Sequence, residues 1–182
     1  MAKNCVMERS AERQRWIENG LLALMLEKRF EQISVTELCS YLHFSRRSFY
    51  RYFKDMEDVL DSLLNHTFQD MVLPCHVLGL EELRDSYEFW MQRRELLDAL
   101  SLSGLLDKLH EYTLRHTDPM SIGRYLAQDD LEMDICREAS LFVIGGFVSL
   151  VIAWHADGFR KTPEQMAKIA QRMLFVPIMK QK

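Results

Sequence analysis

The amino-acid sequence predicts an all-α protein, with an N-terminal three-helix domain carrying a helix-turn-helix and a C-terminal helical bundle domain ending in a dimerising helix pair. Three observations lead there. Apolar residues recur at three-four spacing along most of the 182 residues. Four prolines and seven glycines are few breakers for such a length, and no run of alternating Val, Ile and Thr marks a strand. Side chains that cap helices stand repeatedly just ahead of the apolar stripes. At 48% hydrophobic and 27% charged residues the chain is globular, with enough apolar mass for a real core.

The first helix is expected over Glu8 to about Lys28, where Ile17, Leu21, Leu24 and Met25 form one stripe with Trp16 beside it. Ser34 and Glu37 then make a capping box that starts a second helix at about Val35. Its face of Val35, Leu38, Cys39 and Leu42 turns inward, leaving Thr36, Glu37, Ser40 and Tyr41 outward. Leu42-His43-Phe44 is too brief for anything but a tight turn, and His43 tolerates a positive φ there better than most residues. Ser45 caps the third helix, which buries Phe49 and Phe53 at i and i+4. Arg46, Arg47, Ser48, Tyr50, Arg51 and Tyr52 are left on or near its exposed side, with no acid among them.

Asp55 caps a connecting helix that starts at Met56 and runs through Val59, Leu60, Leu63, Leu64, Phe68 and Met71 toward Pro74. Leu73 to Gly79 breaks the pattern, so the domains are read as 1–54 with the connecting helix at 55–73, and 74–182. Further helices are expected over Glu81–Gln92, Arg94–Leu100, Leu105–Arg115, Ile135–Ala156 and Pro163–Met179, with loops near Ser101 to Gly104, His116 to Met120 and Asp157-Gly158. Leu141 to Trp154 is apolar on nearly all sides, which a helix tolerates with its own core on one side and a partner on the other. Gly145, Gly146 and Ser149 are small enough to admit a second backbone. Thr162 caps the last helix and Pro163 opens it, with Met166, Ile169, Ala170, Met173 and Leu174 on one face.

Charge is unevenly placed. The net charge is −4, yet the first 54 residues hold ten Lys and Arg against six acids, and the remainder thirteen against twenty-one. A basic module on an acidic body fits a head that meets phosphate and a body that does not. An Arg-rich helix flank interleaved with hydroxyls has the chemistry of major-groove readout, since guanidinium forks match the two acceptors of guanine.

Enzyme signatures are missing: no phosphate-binding Gly-rich loop, nucleophile elbow or His-Glu-x-x-His occurs, so neither an enzyme nor a cofactor is expected. Cys75-His76 with His66, His110 and His116 lack tight ligand spacing, and the acidic stretch Asp129, Asp130, Glu132, Asp134 reads as a solvated loop and helix cap, so no metal is expected. Cys5, Cys39, Cys75 and Cys136 lie far apart, predicting free thiols and a cytoplasmic protein. The N-terminus has no long apolar segment, so no secretory leader is expected. The uncharged run Ala139 to Ala156 carries two glycines, two serines and His155, and a buried helix is expected rather than a membrane span.

Ser45-Arg-Arg-Ser-Phe-Tyr-Arg-Tyr-Phe-Lys-Asp55, preceded by Ile33-Ser-Val-Thr-Glu-Leu-Cys39, resembles the DNA-binding domain of the TetR family of bacterial transcription regulators over roughly residues 8 to 72. Phe142-x-x-Gly-Gly146, Trp154-x-x-x-Gly158 and Thr162-Pro-Glu-Gln-Met166 resemble the C-terminal region of its DhaS-type subgroup. The resemblance implies a homodimeric regulator of double-stranded DNA, a repressor by expectation, bound to a palindromic operator. Arg46, Arg47 and Ser48 would meet base edges, Thr36, Tyr50, Tyr52 and Lys54 phosphates, and Arg51 either. It further implies a dimer interface of Gly145, Gly146, Ser149, Trp154, Met166, Ile169 and Met173. A small-molecule effector pocket would be lined by Phe89, Trp90, Leu97, Leu106, His110 and Phe142. Two departures stand out. Family members usually carry Gly after the first helix, where Lys28-Arg29-Phe30 stands, which predicts strain at Arg29; and a Lys commonly stands where Met56 does, a phosphate contact that Lys54 would partly replace. The rival reading is a helical protein–protein adaptor that keeps the helix-turn-helix shape without binding DNA.

Overall fold

The computed structural model describes residues 2–71, 79–117 and 133–175. Among them every regular element is helical: α1 (Ala2–Met25), α2 (Val35–Tyr41), α3 (Arg46–Phe49), α4 (Met56–Asp70), α5 (Leu80–Gln92), α6 (Arg94–Ser103), α7 (Lys108–His116), α8 (Met133–Ala156) and α9 (Pro163–Phe175), with a 3₁₀ turn at Phe30–Gln32. The all-α reading holds. The chain forms two compact units, one of Met1–Thr67 with Asp98–Leu105, the other of Phe68–Leu97 with Leu106–Lys182.

In the first unit α1 begins before Glu8 and stops before Lys28. The amides of Leu26, Glu27 and Lys28 fold back onto the carbonyls of Leu22 and Leu24, at 3.1–3.2 Å, and Arg29 then leaves in extended conformation (φ −64°, ψ 144°). No left-handed residue is needed, so the strain expected at Arg29 does not exist. The stripe Ile17, Leu21, Leu24 and Met25 is buried as its spacing demands, and so are Leu38 and Cys39 of α2, Phe49 and Phe53 around α3, and Val59, Leu60, Leu63 and Leu64 of α4, the apolar core of this unit. Gly20 lets α1 and α2 approach closely: a Cβ there would lie 2.7 Å from the Leu42 side chain.

Two polar links tie distant segments of this unit together. Glu18 is 2% exposed, and its carboxylate accepts from Ser62 Oγ at 2.6 Å while both of its oxygens lie 3.0 Å from His66 Nδ1. A buried carboxylate is tolerated only with such partners. The buried hydroxyl of Ser103 accepts from the Phe30 amide at 3.0 Å, satisfying the backbone at the entry to the 3₁₀ turn.

In the second unit α9 packs along α5, and α7 against α8. Tyr87 meets Phe147 and Trp154 with ring centroids 5.0 and 5.6 Å away, and Phe68 sits among Trp90, Tyr112 and His116 at 5.5–6.0 Å. Thr162 and Gln165 form a reciprocal capping box, with the Gln165 amide donating to Thr162 Oγ1 at 3.2 Å and the Thr162 amide to Gln165 Oε1 at 2.9 Å. The turn before it passes through Gly158 (φ 71°) and Phe159 (φ 57°). The Phe159 ring lies 4.6 Å from that of Trp154, and this packing holds a left-handed conformation that a bulky residue otherwise avoids. Compared with the spacing-based expectations, α6 runs on to Ser103, α7 starts only at Lys108 and α8 starts at Met133. Pro74, the end of the His116 to Met120 loop and the chain beyond Phe175 lie outside the described residues.

α8 is long and apolar enough by length and composition to cross a membrane over Cys136–Ala156, and a third of that window is buried within the protein. Val143, Ile144, Val148, Val151 and Trp154 face inward, while Phe142, Gly146, Ser149 and Ala153 repeat at helical spacing on the exposed side.

Phe49 is fully buried and belongs to a helix of four residues. Phe49→Ala is expected to lower the stability of the protein by about 3–5 kcal/mol, read from urea denaturation midpoints and slopes.

Candidate nucleic-acid interface

Two capped helices and one left-handed residue build the α2–α3 element. Ser34 is extended (φ −100°, ψ 156°) and its Oγ accepts from the Glu37 amide at 3.2 Å. Glu37 also pairs with Lys28, whose ammonium donates to the carboxylate. That hydrogen bond is the main reason the Glu37 carboxyl is held below its ordinary range, helped by the charge of Lys28 and by the Ser34 amide that closes the capping box. The chain turns at His43, which adopts φ 49° as anticipated, and the Phe44 amide bonds back to the Cys39 carbonyl at 2.8 Å. Ser45 Oγ accepts from the Ser48 amide at 3.1 Å and donates to Ser48 Oγ at 2.9 Å, so the Ser48 hydroxyl is partly committed to the cap.

α3 is regular for a single turn, shorter than the reading that carried it to Phe53. The amides of Arg51 and Tyr52 bond three residues back, at 3.3 and 2.9 Å, tightening the helix end. The Phe53 amide still reaches the Phe49 carbonyl at 3.1 Å, which keeps both rings on one side with centroids 6.0 Å apart.

With the two phenylalanines inward, Arg46, Arg47, Tyr50 and Arg51 are exposed, as is Thr36 on α2. Among the described residues no carboxylate forms an ion pair with Arg46, Arg47 or Arg51. Ser48 and Tyr52 are half-buried; Tyr52 leans on Phe44, centroids 6.3 Å apart, a contact across the turn that no local pattern announces. The Lys54 side chain is 88% exposed, with its ammonium 3.7 Å from Asp55, the residue whose carboxylate caps α4 by accepting from the Asp58 amide at 2.9 Å. Beneath the flank, burial pushes the Cys39 thiol up, against an opposing pull from the charge of Arg46. Cys39 is thus a core thiol and not a reactive one.

Of the residues expected around an effector, Trp90 and Leu97 are buried, and Phe89, Leu106 and His110 are half-buried. Phe89 carries the Arg93 guanidinium 3.5 Å above its ring. Phe142 does not join them: it is 79% exposed, because position 142 falls on the face of α8 opposite the buried Ile144 and Val151. Sequence reasoning missed Tyr87 and Thr117, whose hydroxyls, like Trp90 Nε1, are buried without a hydrogen-bond partner among the described residues. Burial alone pushes the Tyr87 phenol up. Of the residues expected at a dimer interface, Gly146, Ser149 and Met173 are exposed and Gly145 and Ile169 half-buried. Trp154 and Met166 are instead taken up inside the chain, Trp154 Nε1 donating to the Lys161 carbonyl at 3.0 Å. No cluster of metal ligands occurs among the described residues; Cys75, His76 and the side chains of the acidic stretch lie outside them.

Residues 83–175, just over half of the chain, match the TetR_C_8 family model, described as a transcriptional regulator C-terminal region. The protein belongs to the TetR family of transcriptional regulators. The fold of this family extends over nearly the whole chain. The fatty acid degradation regulator FadR from Bacillus halodurans is 16% identical with a TM-score of 0.59, over 91% of this chain and 96% of its own. The dihydroxyacetone kinase operon activator DhaS is 17% identical with a TM-score of 0.59, over 91% and 95%. A TetR-family transcriptional regulator from Syntrophomonas wolfei is 19% identical with a TM-score of 0.57, over 94% and 99%. Among curated proteins none matches.

The lowered carboxyl of Glu37 makes a pH signature at the entrance to α2. Its contribution is present above the unfolded carboxylate range and is lost as pH falls through the lower folded value. Wild type and Glu37→Gln should therefore differ in thermal midpoint at neutral pH and converge in acid, in melts followed by circular dichroism.

Proposed function

We propose that this TetR-family protein is a sequence-specific DNA-binding transcriptional regulator that acts as a homodimer on a palindromic operator, as a cytoplasmic repressor released by a small effector. The observation that carries the reading is the flank of α3, where Arg46, Arg47 and Arg51 are exposed without a carboxylate partner among the described residues while Phe49 and Phe53 anchor the backbone beneath. Base edges fall to Arg46, Arg47 and the remaining capacity of Ser48, and phosphates to Thr36, Tyr50, Tyr52 and Lys54; Arg51 serves either role.

Two half-sites need two heads, and closed two-fold symmetry supplies them. The exposed face of α8, with Phe142, Gly145, Gly146 and Ser149, together with Ile169 and Met173 of α9, is the surface assigned to the second copy. Support comes from the exposure of Phe142 at 79% and Met173 at 60%, large apolar groups beside small residues that admit a close backbone. Repression needs nothing beyond occupancy of the operator, which is why it is the reading adopted; DhaS is described as an activator, and a reporter assay decides the sign. For the effector, the polar atoms of Tyr87, Trp90 and Thr117 that lack a partner among the described residues are the groups that gain most from a ligand bringing acceptors.

In gel shifts against a selected operator, Arg47→Ala should cost roughly 1–3 kcal/mol and relax preference at one base pair, whereas Lys54→Ala should weaken all sequences alike. An Arg47→Ala protein that keeps full affinity and preference removes the base-contact assignment, and absence of salt-dependent affinity in the wild type favours the adaptor reading. In sedimentation equilibrium Phe142→Asp should shift the protein toward monomer; an unchanged mass would place the interface elsewhere.

A further inference from the structure

The helix-turn-helix carries a second cationic feature, on an element that neither the family resemblance nor the motif assigns to DNA. The guanidinium of Arg13 in α1 lies over the Trp16 ring at 4.9 Å and near the Phe44 ring at 5.9 Å. Trp16 meets Phe44 edge-on at 5.5 Å, and Phe44, at the end of the turn, in turn contacts Tyr52. A continuous strip of rings thus joins α1 to the last residues of the reading segment. Arg13 is exposed, and no carboxylate pairs with it among the described residues.

We propose that Arg13 is a phosphate anchor, held by its aromatic platform beside the proposed phosphate contact Tyr52, so that α1 and α3 grip the same DNA backbone; this rests on the DNA-reading role proposed above. A guanidinium held over ring faces is partly ordered by them, and in an exposed arginine without a carboxylate partner among the described residues its N–H donors remain for a bidentate grip on phosphate oxygens. Only two contact steps, of 5.9 and 6.3 Å, separate the guanidinium from the Tyr52 ring. Duplex DNA carries a charge about every 1.7 Å of its axis, so a cation held this near one phosphate contact has further phosphates within reach. The platform also limits the side-chain freedom lost when the contact forms, which a solvated arginine would have to surrender on binding.

The test measures affinity for a short duplex of random sequence as a function of salt, for wild type, Arg13→Gln and Arg13→Lys. Arg13→Gln should bind about tenfold more weakly at moderate salt and flatten the slope of log affinity against log salt by roughly 0.9, with every sequence affected alike. Arg13→Lys should keep the slope and recover part of the affinity. Melting temperatures of both variants should lie within about 4 °C of wild type, since an exposed cation–π contact contributes little to the fold. A wild type with a steep slope and an Arg13→Gln protein with the same slope and affinity would overturn this inference alone, leaving the α3 assignment intact. A wild type without salt-dependent affinity would sink both.

Discussion

A helix of four residues has no independent existence in water, because nucleating the first turn fixes several torsions for one hydrogen bond. α3 exists because Phe49 and Phe53 lock it into the core from below and Ser45 satisfies an orphan amide at its start. That anchoring decides where everything polar on the segment points. Once two rings at i and i+4 are committed inward, Arg47 and Arg51 fall on the far side, while Arg46 at the first helical position and Tyr50 just past the last are exposed at the two ends of the turn. The proposed function of the protein is therefore a by-product of how one turn of helix is held.

The surrounding unit supplies the rigidity that such a short reading element lacks. α1 is clasped to α4 through the buried carboxylate of Glu18 between Ser62 and His66, and to α2 through the gap that Gly20 leaves for Leu42. Ser103, far away in sequence, satisfies the amide of Phe30 just ahead of α2. Base readout requires side chains placed to within fractions of an ångström, and rotamer-rich arginines meet that demand only on an immobile backbone. The aromatic strip from Arg13 to Tyr52 extends the same economy to the surface.

Local grammar was legible in the sequence where the determinant is a few residues long. The caps at Ser34, Ser45, Asp55 and Thr162 act over three residues, and each is found where its spacing puts it. The stripes of α1 and α4 and the positive φ of His43 were readable for the same reason. What escaped depends on partners far along the chain. Glu18 looks like one more solvated acid until α4 brings His66 across 48 positions. Arg29 looks strained until the turn at Leu26 to Lys28 removes the need for a left-handed residue. Phe142 and Trp154 share one apolar run, and only the phase of α8 against its neighbours separates an outward residue from an inward one. Trp90 and Leu97, expected to line an effector pocket, are buried, while the hydroxyls of Tyr87 and Thr117, without partners among the described residues, become visible only once the helices close over them.

Membership in the TetR family fits the two compact units: a basic segment built around α3, and a helical unit whose exposed apolar face lies on α8 and α9. The central claim is that the outward groups of α3 read base sequence from two symmetrically placed heads. Selection of bound fragments from random duplex DNA tests it most directly. Readout by two symmetric heads requires enrichment of an inverted repeat whose half-sites are separated by about one helical turn or a multiple of it. Recovery of fragments with no shared sequence, or of none above background, would contradict it.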